Sequence, residues 1–314
     1  MPAHLRSLGV NPLSLTLDES DQDAFAAALL GSLKESGFAV ITDHGLPASM
    51  INAAVQETKA FFELPEAAKL AYCPPASRGQ RGYTPFGVEN AKDSDRPDLK
   101  EFWHVGRELP PSHPYRSVMP DNMWPAERPH FKPATLALYD GLEHIGLRVL
   151  AAIARGLNQP INFFENAVRD GDSILRLLHY PPVSPSADGV RAGAHEDINV
   201  ITCLLGAEEG GLQLLRRDGV WIDIAPPEGA LVINVGDMLQ RLTAGYLPST
   251  THRVVNPPPE RRHRSRYSIP FFLHFAPDFM IDPAAIGITT TDPAYAPITA
   301  RDYLMLRLKE IGLA

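Results

Sequence analysis

Two cysteines, Cys73 and Cys203, are all that 314 residues contain, and they lie far apart. Neither a disulfide framework nor a cysteine-based zinc knuckle can be argued from that spacing, and a reducing compartment fits. No apolar run approaches the length needed to cross a bilayer, and the N-terminal Met1-Pro2-Ala3-His4-Leu5-Arg6-Ser7 carries no sustained hydrophobic stretch, so a cytoplasmic location is the expectation. A basic surplus is missing as well. The 29 Lys and Arg against 37 Asp and Glu leave a net charge of -8, which gives no electrostatic footprint for nucleic acid or an anionic membrane. Arg261-Arg262-His263-Arg264-Ser265-Arg266 is the local exception and reads as a solvated loop, apart from Arg266. No internal repeat is evident. The apolar content of 44% supplies a substantial core, in one large domain or two small ones.

Between Ser20 and Glu35, Phe25, Leu29 and Leu33 recur every fourth position, which predicts an amphipathic helix ended by Gly37. Phe38 to Thr42 reads as a strand and Asp43-His44-Gly45 as a turn, so His44 is a turn residue rather than a ligand. Pro47 can open a helix whose buried side holds Ile51, Val55 and Phe62. From Cys73 to Arg128 the chain is rich in Pro, Gly and charge, with one strand-like run at Glu101-Phe102-Trp103-His104-Val105. Within this stretch Arg78-Gly79-Gln80-Arg81-Gly82-Tyr83 suits either a surface loop or a flap over a site. His104, His113 and His130 have no partner at ligand spacing and fall outside a metal site.

A long helix is predicted from Phe131 to Leu157, with Leu138, Leu142, Ile145, Val149 and Ile153 on one stripe. Short strands then follow at Ser173 to Tyr180, Ile198 to Leu205, Leu212 to Leu215, Val220 to Ile224, Ala230 to Val235, His252 to Val255 and Arg266 to Phe275. Gly210-Gly211 and Asp218-Gly219 read as hairpin turns between them, and Ala300 to Leu313 as a closing helix. Helices first and many short strands later define a mainly β fold with α elements, a β-sandwich or jelly-roll barrel carrying an N-terminal helical layer.

The chemistry concentrates in that strand-rich half. His195 and Asp197 stand two apart before a strand, so extended geometry puts both side chains on one face. His252, in Ser249-Thr250-Thr251-His252-Arg253-Val254, returns far downstream, after room for several strands. Two imidazoles and one carboxylate on one face of a metal leave adjacent positions open, the arrangement of non-haem Fe(II) oxygenases, with zinc or no metal as the other readings of three residues alone. Arg266 and Ser268 lie two apart on a strand that otherwise reads as core. A buried arginine needs an anion, which is a carboxylate held bidentately with help from the serine, or else an internal salt bridge. Glu196, between the two ligand candidates, faces away; Asp237, after Gly236, caps a short helix; and Phe271 or Phe272 lines a pocket, with core packing the commoner role.

The elements His195-Glu196-Asp197, Gly210-Gly211-Leu212-Gln213-Leu214, Val235-Gly236-Asp237, the His252 segment and Arg266-Tyr267-Ser268 keep one order and approximate spacing. In them the chain resembles the isopenicillin N synthase-type branch of the Fe(II)/2-oxoglutarate-dependent dioxygenases. Gly37-Phe38, His44-Gly45, Phe61-Phe62-Glu63-Leu64-Pro65 and Arg81-Gly82-Tyr83 extend the resemblance over nearly the whole chain. It implies a double-stranded β-helix in which His195, Asp197 and His252 hold Fe(II), while Arg266 and Ser268 hold the distal carboxylate of 2-oxoglutarate. Tyr180, in Leu178-His179-Tyr180-Pro181, matches a family tyrosine directed at the same carboxylate, whereas Leu178 stands where many plant members have asparagine. Strand alternation turns His179 away from that site.

The implied reaction couples oxidative decarboxylation of 2-oxoglutarate by O2 to hydroxylation, desaturation or cyclisation of a small molecule, with ascorbate as an accessory reductant. The implied organisation is a dioxygenase N-terminal region at 1–130, supporting helices at 131–170, a jelly-roll core at 171–280 and a tail with a helix at 281–314, packed as one unit; a monomer suffices. A 2-oxoglutarate-independent oxidase of isopenicillin N synthase type would use a similar Arg and Ser on a substrate acid, and a non-catalytic metal-binding jelly-roll sensor is the rival of another class.

Overall fold

The computed structural model describes residues 11–73, 80–89, 97–184, 187, 189–205 and 210–310. Arg78 and Gly79 of the expected flap, and Ile311 onwards, lie outside the described residues. The strands are β1 (Leu13–Ser14), β2 (Phe38–Thr42), β3 (Gly82–Thr84), β4 (Glu101–Gly106), β5 (Ile174–Tyr180), β6 (Ala192–His195), β7 (Ile201–Leu205), β8 (Leu212–Leu215), β9 (Trp221–Asp223), β10 (Leu231–Val235), β11 (His252–Val254) and β12 (Arg266–Leu273), with the small pair β13 (Met280–Ile281) and β14 (Ile298–Thr299). An eight-stranded sheet runs β1-β2-β10-β7-β12-β5-β4-β3, and a four-stranded sheet runs β6-β11-β8-β9. Apart from the parallel β1–β2 pair, the pairings in both sheets are antiparallel. Two facing antiparallel sheets make the expected jelly roll.

Strand alternation sorts the large sheet into two chemistries. On β12, Ile269, Phe271 and Leu273 face the helical layer, together with Leu175 and Leu177 of β5 and Ile233 of β10. The opposite face turns inward, where Phe38, Val40, Phe102, Leu178, Tyr180 and Val232 meet Leu212, Leu214 and Val254 of the small sheet. The helices that cover the outer face are α1 (Gln22–Ser36), α2 (Ala48–Phe62) and α3 (Phe131–Gly156). The stripe predicted for α3 is buried: Leu138, Leu142, Val149 and Ile153 are fully covered and Ile145 nearly so. Each such side chain contributes about 1.5–3 kcal/mol. Gly146 allows the close approach, since a Cβ there would stand 2.6 Å from Leu273 of β12.

Gly37 ends α1 as the periodicity predicts, in the left-handed region at φ 72°. A Cβ at Gly37 would also lie 2.3 Å from the Thr250 hydroxyl oxygen, so the helix cap packs directly beneath the segment that leads into His252.

Two expectations need correction. Gly210-Gly211 is not a hairpin turn: β7 and β8, on either side of it, belong to different sheets, and Gly211 adopts φ 111° against the Val255 carbonyl. Asp218-Gly219 does turn a hairpin, β8 to β9. Asp237 is not a cap but the first residue of α4 (Asp237–Leu242), with Gly236 at the cap position. Its carboxylate instead meets Arg307 at 3.1 Å on the C-terminal helix α5 (Ala300–Glu310), and burial pushes it up to about 6.

Candidate active site

His195 is the last residue of β6 and His252 the first of β11, and the antiparallel register pairs them directly. Their rings lie 4.4 Å apart between centroids. Asp197 stands just past the end of β6, a departure from the simple strand picture; its carbonyl accepts from the Asp237 amide at 2.7 Å, which pins the turn to the start of α4. The Nε2 atoms of both histidines stand 3.8 Å from the same Asp197 oxygen, Oδ1. One donor atom from each residue falls within 4.8 Å of the others, the only such His/Cys/Asp/Glu group among the described residues.

The remaining polar atoms explain why those donors converge. His195 Nδ1 bonds the Gly193 carbonyl at 2.8 Å and His252 Nδ1 the Thr250 carbonyl at 3.1 Å. Each carbonyl can only accept, so each Nδ1 carries the hydrogen and each Nε2 is left with a lone pair. Asp197 Oδ2 accepts from the Thr202 hydroxyl at 2.5 Å and from Asn234 Nδ2 at 2.8 Å, which orients Oδ1 towards the imidazoles. Burial, followed by the neighbouring His252, lowers His195 to about 4, so at neutral pH a metal need not displace a proton from it. For Asp197, burial alone would raise the carboxyl, but the two imidazoles and the Thr202 and Asn234 bonds outweigh it and hold it below the ordinary range. Such a donor set fits a divalent first-row metal with open positions. Glu196 is not among the three converging donors; it accepts from the Thr251 hydroxyl and borders the cavity.

Thr202 and Asn234 carry no sequence signature, yet groups in this position orient ligands and tune affinity. Thr202→Val keeps the shape and removes the bond to Asp197. It is expected to weaken Fe(II) affinity about 10- to 100-fold, measured by competition with a chelator, and unchanged affinity would remove this role.

The carboxylate-binding candidates also meet. Arg266 pairs with Tyr180 across β12 and β5, and Ser268 pairs with Leu178. Arg266 and Ser268 are buried on the inner face, and the Arg266 guanidinium carbon lies 5.0 Å from the Tyr180 ring centre. Arg191, which sequence reasoning did not single out, is also buried, its guanidinium carbon 6.0 Å from the same ring centre. Tyr180 packs in one cluster with Ala192 and Val254, on the strands that carry His195 and His252. His179 points to the opposite face, where it bonds Glu101 at 2.7 Å and stacks on Tyr267.

A cavity of about 790 Å³ opens beside the triad and is bordered by His195 and Asp197. Tyr180, Arg266, Ser268 and His252 do not border it; they lie further along the interior between the sheets. Phe272 lines the cavity while Phe271 is core, which resolves the expected choice between them. Gln80 and Arg81 of the expected flap also line it, Arg81 through a 2.8 Å ion pair with Asp172, whereas Tyr83 points into the sheet–helix core and donates to Glu101. Residues of α5, among them Leu304 and Leu308, also line the cavity. Sequence reasoning missed an ionic wall in it, built by Glu89, Asp98, Lys100, His104 and Arg176.

Two buried donor sets of this kind on a jelly roll define a class, the Fe(II)/2-oxoglutarate oxygenases, and sequence comparison agrees. Residues 10–127 match the model of the non-haem dioxygenase N-terminal region and residues 171–275 that of the 2OG-Fe(II) oxygenase superfamily. The chain belongs to this family and is an Fe(II)- and 2-oxoglutarate-dependent oxidoreductase. A putative 2OG-Fe(II) oxygenase family protein from Caulobacter crescentus is 54% identical, with a TM-score of 0.89 over 96% of this chain and 99% of its own. A full-length Neurospora crassa protein solved in complex with alpha-KG and thymine is 30% identical, with a TM-score of 0.82 over 96% and 99%. The 2-oxoglutarate-Fe(II) type oxidoreductase hxnY of Emericella nidulans is 33% identical over 297 residues, covering 89% of this chain and 83% of hxnY.

Among the described residues no helix is long and apolar enough to cross a membrane.

Proposed function

We propose that the chain hydroxylates a C–H bond of a small organic molecule bound in the cavity beside His195 and Asp197, with desaturation or cyclisation open to the same residues. The observation that carries this reading is the convergence of two imidazole Nε2 atoms on Asp197 Oδ1 beside a cavity that His195 and Asp197 border, with a buried arginine and serine elsewhere on the same barrel interior. In this reading His195, Asp197 and His252 hold Fe(II), and Arg266, Ser268 and Tyr180 hold the distal carboxylate of 2-oxoglutarate. The bound iron and 2-oxoglutarate supply O2 activation coupled to formation of succinate and CO2.

The chain's own contribution is positional. Thr202 and Asn234 fix the Asp197 carboxylate, and the carbonyls of Gly193 and Thr250 fix both imidazole tautomers. A planar guanidinium can take a carboxylate through two parallel hydrogen bonds, to which the Ser268 hydroxyl can add a third. Phe272 and the α5 residues Leu304, Met305 and Leu308 add apolar surface to the cavity. The complexes of the Neurospora crassa relative with thymine and with 5-formyluracil support a molecule of modest size in this place.

The test combines binding and turnover. Protein loaded with Fe(II) is expected to bind 2-oxoglutarate without air and to release succinate in air, faster when a substrate is present. No binding and no succinate across a broad substrate panel would overturn the reading in favour of a 2-oxoglutarate-independent role.

A further inference from the structure

One wall of the cavity is charged yet balanced. Lys100 Nζ lies 2.6 Å from Glu89 and 2.8 Å from Asp98. Arg176 sits on the inner face of β5, its guanidinium carbon 4.3 Å from the Phe102 ring centre and 5.2 Å from that of Phe272. Its Nε–H donates to His104 Nε2 at 2.6 Å, which requires that nitrogen to be unprotonated and His104 to be neutral. Two cations therefore face two carboxylates. Burial favours the neutral form of Glu89, but Arg176 and Lys100 together hold its carboxyl far below the ordinary range.

The contacts are not equally strong. Glu89 grips Lys100 closely, whereas its bonds from Arg176 Nη1 and Nη2 are 3.4 and 3.5 Å, at the far edge of hydrogen bonding. Each Nη carries two N–H groups, so the guanidinium can offer one to a new acceptor while keeping its short Nε bond to His104. Beside it, Phe272 is only part-buried although Phe271 is fully covered. His274, the next inward-facing residue after Phe272, also lines the cavity and bonds the Phe272 carbonyl through Nδ1 at 3.2 Å, which leaves Nε2 as an acceptor. Burial keeps that imidazole neutral by lowering its pKa.

We propose that the primary substrate is an uncharged, flat molecule carrying a ring amide, whose carbonyl accepts from Arg176 and whose N–H donates to His274 beside Phe272, and that Glu89 turns a carboxylate away from the Arg176 position. This rests on the function proposed above, with the proposed iron ligands His195 and Asp197 bordering the same cavity. A carbonyl leaves the ionic wall intact. A carboxylate at Arg176 sets a second negative charge beside Glu89, and like charges at such close range in a largely buried site repel. Withdrawing Glu89 instead strips Lys100 of its shorter ion pair.

The experiment is calorimetry without air on protein loaded with Fe(II) and 2-oxoglutarate, using uracil, 2-pyridone and hydantoin as neutral ring amides and orotate as uracil bearing a carboxylate. At least one neutral amide is expected to bind ten times or more tightly than orotate, and Arg176→Met to weaken it at least tenfold with 2-oxoglutarate affinity unchanged. Glu89→Gln removes the repelling charge and is expected to bring orotate at least tenfold closer to uracil. The proposal is overturned if orotate binds wild type as well as the amides do, if none of the three amides binds, or if neither variant shifts the ratio. Failure of wild type to bind 2-oxoglutarate at all would instead strike the proposed function. If Arg176→Met loses 2-oxoglutarate binding, the Glu89→Gln arm decides.

Discussion

His195→Ala is expected to abolish Fe(II) binding and all succinate formation while leaving thermal unfolding nearly unchanged. The imidazole is the most open of the three donors, its side chain 36% exposed against 7% for Asp197 and 10% for His252. It holds one backbone carbonyl, that of Gly193, so truncation costs the fold only about 1 kcal/mol of neutral hydrogen bonding. Asp197→Ala is the weaker experiment despite the greater charge it removes. It would leave the buried Thr202 hydroxyl and Asn234 amide without their acceptor, at about 1–3 kcal/mol each, and lost activity would then mix lost metal with lost structure. With His195 removed, one imidazole and one carboxylate remain, too few donors to fix a divalent ion with defined open positions. Iron content measured on the purified variant, beside its melting curve, checks this. A wild-type iron stoichiometry would refute the assignment of His195 as a ligand.

What the sequence made legible follows from how locally each feature is encoded. The α3 stripe and the β12 alternation are short-range patterns, so Leu138 to Ile153 were readable as one buried face and Arg266 with Ser268 as inward intruders on a core strand. The triad was readable because two of its members lie two residues apart. The ionic wall was not, because Glu89, Asp98, Lys100, His104 and Arg176 come from a loop and two strands and carry no periodic spacing; only the β4–β5 register brings His104 opposite Arg176. His104 had been set aside for lack of a partner at ligand spacing. That reasoning holds for metal binding, but it is silent on a cross-strand arginine. Gly210-Gly211 misled for a related reason: a glycine pair marks a sharp change of direction, and in a two-sheet barrel that change can pass the chain between sheets as readily as fold it back. Asp237 looked like a helix cap because the residue before a helix favours Asp, whereas Gly236 holds that position and frees the carboxylate for Arg307.

Arg266→Met is expected to weaken 2-oxoglutarate binding by about a hundredfold or more with Fe(II) affinity unchanged. Methionine retains an unbranched apolar stem at this buried position, so most of the interior stays filled and the change removes the guanidinium that lies over Tyr180. Two charge-assisted hydrogen bonds to a carboxylate contribute about 1.5–3 kcal/mol each, and about 2.8 kcal/mol already corresponds to a hundredfold in Kd. Arg266→Lys should recover only part of this, since an ammonium offers a point charge where the carboxylate meets a planar fork. Tyr180 and Arg191 remain in both variants, so any residual affinity measures what the second buried guanidinium and the tyrosine supply. Titration of each Fe(II)-loaded variant with 2-oxoglutarate gives the comparison. Equal affinity in wild type and Arg266→Met would dissolve the clamp. A loss of iron alongside the loss of 2-oxoglutarate would show that the two donor sets are not separate, because the Arg266–Tyr180 pair and the His195–His252 pair lie on different sheets and only the shared interior joins them.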